Sequence, residues 1–276
     1  MNDEIRMGIY IRMQNNLNDK KIIVTGASSG IGERLVWHIA KRGGIPVLLS
    51  RSLNKMREQQ QLLKQELHAT SFVYQVDISN ETELNAVMST IIKEHEQVHG
   101  LINNAGVGVF EYVKDTEWHD IDHMFQLNVL ALIQATKLIV PHFLEQGEGH
   151  IINIVSQAGK MATPKSAIYG ATKHAVLGFT NALRLEIKSS TLHVTAVNLG
   201  PVRTNFFIQA DPSGVYQKNV DRYMLDPDIV AQKIVRKLFT NKREINLPLW
   251  MEAGSKMYQL FPGIMERLLK GQFNKK

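Results

Sequence analysis

Tyr169 and Lys173 stand four residues apart in the stretch Tyr169-Gly170-Ala171-Thr172-Lys173. On a helix, side chains at this spacing rise from one face, one above the other. A phenol in water has a pKa of about 10 and is a poor acid at neutral pH. An ammonium fixed beside it stabilises the phenolate and draws that pKa toward the range useful for proton transfer. The same pair also occurs on solvated helix faces, where it does nothing chemical. The rest of the chain has to decide between these readings.

The first deciding element lies near the N-terminus. Lys21-Ile22-Ile23-Val24-Thr25 is a β-branched apolar run that reads as a buried strand. Gly26-Ala27-Ser28-Ser29-Gly30-Ile31-Gly32 follows, and then a helical pattern through Leu35, Val36, Ile39 and Ala40. Strand, glycine turn and helix together suit a pyrophosphate: the backbone can approach closely, and the helix N-terminus offers free N–H groups. The GxxxGxG spacing points to a variant of the dinucleotide fold, whose usual turn is GxGxxG. A plain tight turn is the alternative.

The second apolar run, Pro46 to Ser50, ends in Ser50-Arg51-Ser52. An NAD site would place a carboxylate near here to hold the ribose 2′-hydroxyl. A guanidinium stands there instead, suited to paired bonds with a 2′-phosphate. NADP(H) is therefore favoured over NAD(H), the alternative being a solvated Arg51 at a helix start. Asp77-Ile78 closes the third strand, 72–76, where Asp77 could take a bond from an adenine amino group or help cap the next helix. Asn104-Ala105-Gly106 closes the fourth. Asn128 lies inside one long helical region, 118–145, either exposed or bonded inward. Ser156 closes the fifth strand. The sixth, 192–198, runs into Leu199-Gly200-Pro201-Val202-Arg203-Thr204.

Six strand-then-helix units alternate without a break in composition, and 245–248 could add a seventh, edge strand. That is an α/β chain with a single doubly wound Rossmann-type domain, 21–249: a seven-stranded parallel sheet flanked by helices. Residues 205–225 show no clear period and carry Phe206, Phe207, Tyr216 and Tyr223, the composition of a substrate loop or lid. Residues 1–20 read as a flexible extension without an apolar signal core, and 250–276 as a C-terminal helical extension.

Composition narrows the function classes. The 276 residues are 44% hydrophobic and contain no cysteine, which excludes disulfides and thiolate metal sites and makes a cytoplasmic enzyme the expectation. Net charge is +6, but the basic residues are dispersed, so nucleic acid is not an expected partner. No apolar stretch reaches the ~18 residues of a membrane span. His119 and His123 have metal-ligand spacing but no evident third ligand, and read as a solvated helix face. Residues 250–276 mix Trp250, Met251, Phe261, Ile264 and Leu268 with Lys256, Arg267 and Lys270. Such a segment covers a cleft or packs on a neighbour; peripheral membrane contact is the alternative.

Taken in order, these motifs resemble the short-chain dehydrogenase/reductase family over about 21–248. The resemblance is carried by Thr25-Gly26-xxx-Gly30-x-Gly32, by Asn103-Asn104-Ala105-Gly106, by Asn128, Ser156, Tyr169 and Lys173, and by Gly200-Pro201-Val202-x-Thr204. Leu199 stands where the family often has proline, and His99 where it often has Asp. Neither departure removes a group that does chemistry.

The resemblance implies an NADP-dependent oxidoreductase acting on a carbonyl or secondary alcohol. It implies Tyr169 as general acid or base, and Lys173 lowering its pKa and binding the nicotinamide ribose. Ser156 would donate to the substrate oxygen. Asn128 would hold a helix distortion and a water leading from Lys173 to solvent. It further implies cofactor contacts from Gly26, Ser28, Ser29, Gly30, Ile31, Gly32, Arg51, Asp77, Ile78, Asn104, Ala105, Gly106, Val202 and Thr204, and a homodimer or homotetramer. The aromatic loop suggests an apolar substrate. Two other readings compete: an NADP-binding regulatory or scaffold protein, and a peripheral-membrane reductase of lipid or fatty-acyl ketones.

Overall fold

In the computed structural model, which describes residues 17–273, the strands run parallel in one sheet. They are β1 (Lys21–Thr25), β2 (Ile45–Ser50), β3 (Phe72–Gln75), β4 (Gly100–Asn103), β5 (His150–Ile154), β6 (His193–Leu199) and β7 (Glu244–Leu247). Their spatial order is β3-β2-β1-β4-β5-β6-β7. The chain starts in the middle, winds outward to β3, then returns past β1 and winds the other way. The order reverses between β1 and β4, and a crevice forms there beyond the strands' carboxyl ends.

The strands are apolar on both faces because helices cover both. Between the strands run α1 (Gly30–Lys41), α2 (Leu53–Leu67), α3 (Glu81–His95), α4 (Trp118–Phe125), α5 (Ala131–Gln146), α6 (Ala167–Glu186), α7 (Phe206–Ala210), α8 (Val215–Val220) and α9 (Pro227–Val235). Two further helices, α10 (Leu249–Leu260) and α11 (Pro262–Phe273), follow β7. Alternation within β1 assigns the layers. Ile22 and Val24 pack with Leu35 and Ile39 of α1 and Val230 and Ile234 of α9. Ile23 points the other way, to a core with Met88 of α3, Phe143 of α5 and Leu183 of α6. Pro46 sits in β2 at no cost to the sheet, since pairing with β3 begins only at Val47.

Several boundaries differ from the sequence reading. Leu17 is fully buried and its N–H donates to Arg42 O, so 17–20 belong to the domain; residues 1–16 of the expected extension lie outside the described residues. Residues 118–145 are not one regular helix: a π-turn, Gln126–Leu130, separates α4 from α5. By length and composition this region would suffice to cross a membrane. It instead buries Met124, Leu132, Ile139 and Phe143 in the domain. The aromatic loop is largely helical, formed by α7, α8 and a 3₁₀ turn, Asp221–Tyr223, each too short to display a period. Pro248 falls outside β7 and precedes α10, which begins one residue earlier than the expected extension.

Candidate active site

Two cavities meet at the carboxyl edge of the sheet. The first, about 430 Å³, runs from the glycine turn across the ends of β2, β3 and β4. Its shape depends on missing side chains. A Cβ on Gly32 would lie 2.1 Å from Gly26 O, and Gly26 itself has φ +64°, so neither position takes an ordinary side chain. Asn104 seals the turn from below: its Nδ2 donates to Thr25 O (2.9 Å), while Thr25 Oγ1 accepts from Asn104 N (3.0 Å) and Ala105 N (3.1 Å).

The helices that start at this cavity keep their first N–H groups available. Ser29 and Ser52 stand at the N-caps of α1 and α2, yet neither side chain bonds the helix. Away from the cavity, Asn80 and Asp226 cap α3 and α9 in the ordinary way. Uncapped N-termini above a side-chain-free turn fit a dinucleotide pyrophosphate.

Of the residues expected to touch a cofactor, Gly26, Ser28, Ser29, Gly30 and Ile31 line this cavity at the turn, and Arg51, Asp77 and Ile78 at the ends of β2 and β3. Asn104, Ala105, Gly106 and Thr204 line it on the β4 side. Gly32 sits behind the turn. Val202 lines the second cavity instead, held in a bridge to Leu225. Arg51 is largely exposed, with Nη1 4.0 Å from Asp77 Oδ2. Burial pushes the Asp77 carboxyl up, but the Ser79 hydroxyl and N–H and the Arg51 guanidinium outweigh it and hold it below its ordinary value. Asp77 therefore closes a local turn onto Ser79, and Asn80 alone caps α3.

Residues the sequence reading missed also line this cavity: Ser50, Ser52 and Lys55 at the Arg51 end, and His123 of α4. Ser50 donates to Ser28 Oγ at 2.7 Å, tying β2 to the glycine turn. Lys55 was legible in principle, being four residues after Arg51 in a helix that begins at the crevice.

The second cavity, about 490 Å³, is mostly apolar. Ser156, Tyr169 and Lys173 reach into it, and Ile31, Asn104, Gly106, Thr204 and Phe206 border both cavities. Phe110, from the loop after β4, packs its ring edge-on against Tyr169 (5.6 Å) and Tyr216 (5.1 Å), joining the wall to the lid helices. Met161, Trp250, Met251 and Met265 complete the apolar lining, the last three from α10 and α11.

Tyr169 and Lys173 share a face of α6, as their spacing requires. The ammonium lies 5.7 Å from the Tyr169 ring centroid and donates to Ile154 O at 3.0 Å. Burial brings the Lys173 pKa down to about 8. The expected lowering of the Tyr169 pKa does not occur. Burial pushes this phenol well above its ordinary value, against a smaller downward pull from its hydrogen bond with Ser156. Desolvation outweighs that bond, and the neighbouring Tyr216 adds a smaller upward push. The Ser156 hydroxyl also accepts from Ala158 N (3.1 Å) and donates to Leu199 O (3.3 Å).

Asn128 is buried and reaches neither cavity directly. Its Oδ1 accepts from Val107 N and its Nδ2 donates to Val107 O, both at 2.8 Å, and Nδ2 also reaches Thr172 Oγ1 at 3.1 Å. It thus joins the β4 exit loop to the residue before Lys173, from inside the π-turn. His119 and His123 stack at 6.2 Å. No group of three metal-binding side chains occurs among the described residues.

A sheet of this order, with a side-chain-free turn at its switch point, defines a nucleotide-binding protein of the open α/β type. A sequence model of the short chain dehydrogenase family matches residues 20–213, and the chain belongs to the short-chain dehydrogenase/reductase family, oxidoreductases that work with a nicotinamide nucleotide. It is 31% identical to an uncharacterised oxidoreductase of Staphylococcus saprophyticus, over 80% of this chain and 90% of that one. Among solved structures, it is similar to a short-chain dehydrogenase from Sphingobium yanoikuyae in complex with NADPH, at 25% identity and a TM-score of 0.76, covering 88% and 95% of the two chains. A Burkholderia phymatum member in complex with NAD superposes with a TM-score of 0.81 at 21% identity, covering 90% and 95%.

Proposed function

We propose that this protein is an NADP(H)-dependent reductase of an uncharged, apolar ketone or aldehyde. The observation that carries this reading is the place of Tyr169: with Ser156 and Lys173 it lines an apolar cavity where that cavity borders the cofactor cleft. A phenol placed beside the Ser156 hydroxyl can give its proton to a substrate oxygen as negative charge develops there, which is the need of a reduction.

When bound, the reduced nicotinamide supplies a hydride to the carbonyl carbon. The residues around it then have separate tasks. Ser156 turns its hydroxyl from Leu199 O to the substrate oxygen, where negative charge develops. Tyr169 gives its proton to that oxygen, and the product leaves as an alcohol. Lys173 offers its ammonium to the ribose hydroxyls and favours the transient phenolate. Asn128 keeps α6 in register with the β4 exit loop and orders a water through which the proton is replaced. Arg51 and Lys55, with Ser50 and Ser52, form a cationic, donor-rich cup suited to a 2′-phosphate. Lys173 apart, no charged side chain among the described residues lines the second cavity, which favours an uncharged substrate.

The test is NADPH oxidation with paired ketones of increasing chain length, in wild type and in Tyr169→Phe. Turnover with the longer apolar ketones, lost in Tyr169→Phe while NADPH still binds, is the expected result. Steady-state activity retained in that variant would overturn the role given to Tyr169.

A further inference from the structure

We propose that α10 and α11 form a docking face for the surface of an anionic lipid bilayer. The two helices turn one side inward and leave the other without cover from the domain. Inward go Met251 and Met265, which line the second cavity, and Glu252 and Ser255, which are buried, while Trp250 stands at the cavity's rim. Outward go Leu249, Met257, Leu260, Phe261, Ile264 and Leu268, exposed by 76%, 47%, 69%, 49%, 58% and 73%. Met257 and Leu260 on α10 are three residues apart and Ile264 and Leu268 on α11 are four apart, so each pair shares a side of its helix, with Phe261 at the break between the helices. An apolar stripe of this length on a soluble surface marks a place of contact.

This face is held in place. Glu252 at the root of α10 is bonded to the buried Lys160 at 2.8 Å, and Tyr258 of α10 donates to Glu266 of α11 at 3.1 Å. The apolar stripe is therefore presented by two fixed helices.

Charge selects the occupant. Residues 250–276 contain five basic residues, Lys256, Arg267, Lys270, Lys275 and Lys276, against two acidic ones. Of those acids, Glu252 is buried between Lys160 and Lys256, the latter at 3.6 Å, and Glu266 is bonded to Tyr258, while the side chains of Lys256 and Arg267 are exposed. An apolar stripe edged with cations complements a bilayer bearing acidic headgroups, where each Lys or Arg strengthens binding by roughly fivefold. The rim of Trp250, more than half exposed, adds an aromatic ring of the kind that settles at headgroup level. This docking is independent of which substrate the cavity takes.

The experiment is flotation of the full chain with vesicles of phosphatidylcholine alone and of phosphatidylcholine with phosphatidylserine, at low and high salt. Wild type should float with the phosphatidylserine vesicles and be released by salt. Leu260→Glu with Leu268→Glu should stay at the bottom of the gradient, and Lys256→Glu with Arg267→Glu should lose roughly tenfold or more in binding. None of these side chains lines either cavity, so NADPH binding by the variants serves as the control for folding. Absence of flotation by folded wild type, or flotation unchanged in the leucine variant, overturns the proposal. A wild-type dimer that becomes monomeric in the leucine variant and does not float would overturn it in favour of an interface between copies of this chain.

Discussion

Lys160 Nζ lies 2.8 Å from Glu252 Oε2, and this contact joins the loop after Ser156 to the helix that walls the second cavity. The same ammonium reaches Glu244 Oε2 at 2.6 Å and Asn246 Oδ1 at 3.1 Å, and Asn198 donates to both of these acceptors. One buried cation thus holds β6, β7, α10 and the Ser156 loop together. Removing it leaves two carboxylates facing each other with only the exposed Arg243 (3.9 Å from Glu244) and Lys256 (3.6 Å from Glu252) beside them, a change that costs about 3 kcal/mol. Lys160→Met should lower stability by that order in chemical denaturation. In the surviving folded protein KM for the carbonyl substrate should rise more than kcat falls, because α10 bears cavity walls and no reacting group. Combining it with Glu252→Gln should restore part of the lost stability.

The Arg51 and Lys55 cup should set the choice of cofactor. A charge-assisted bond contributes about 1.5–3 kcal/mol, so Arg51→Ala with Lys55→Ala should weaken NADPH binding by roughly a hundredfold or more and leave NADH binding nearly unchanged. Parallel titrations of both nucleotides measure this. Equal binding of the two by wild type would leave Arg51 a surface residue.

Asn128 should matter through Val107 and Thr172. Asn128→Ala leaves the Val107 N–H and C=O without their partner, at about 1–3 kcal/mol for each group. A lower Tm is expected, together with a fall in kcat larger than any change in the Kd for NADPH. An unchanged kcat would reduce Asn128 to a packing role.

Lys173 should leave a mark in alkaline solution. Its pKa in the folded protein is about 8, against an ordinary 10.5. Below about pH 8 the ammonium is buried at full cost. Between about 8 and 10.5 the folded state releases the proton while the unfolded chain keeps it, so stability rises with pH. The gain is about 3 kcal/mol when complete. Without nucleotide, wild type should therefore gain stability relative to Lys173→Met across this window, as read from Tm against pH.

His150 should act at the acid end. It is buried, its Nδ1 accepts from Phe239 N and its Nε2 meets Thr195 Oγ1. Burial first, and then His193, bring its pKa down to about 3. The neutral ring's contribution to stability is complete above pH 6.5 and is lost as pH falls from there toward 3. His150→Gln should be less stable at pH 7 and show a flatter acid transition.

Much of this molecule was legible in the chain because its signals are local. The β-branched runs gave the strands, and Gly26 to Gly32 gave the turn. Tyr169 and Lys173 announced a shared helix face. What escaped reading depends on distance or on cancellation. Lys160 carries no local sign, since its partners lie 84 and 92 residues away. The Tyr169 pKa was misjudged because a spacing shows the neighbouring charge and hides the burial that opposes it. Residues 205–225 looked irregular because five or six residues of helix are too few to print a period.

The five residues bordering both cavities, among them Gly106, Thr204 and Phe206, carry a kinetic consequence. Under the proposed function, a carbonyl compound seated against Tyr169 would share these residues with the dinucleotide and stand at the inner end of the dinucleotide's channel. Ordered arrival is therefore expected under that function, nucleotide before carbonyl, with the alcohol departing before the spent nucleotide. Rate measurements would display this as mutual exclusion of NADPH and NADP⁺ at every carbonyl concentration, while an alcohol analogue would lock the nucleotide in place.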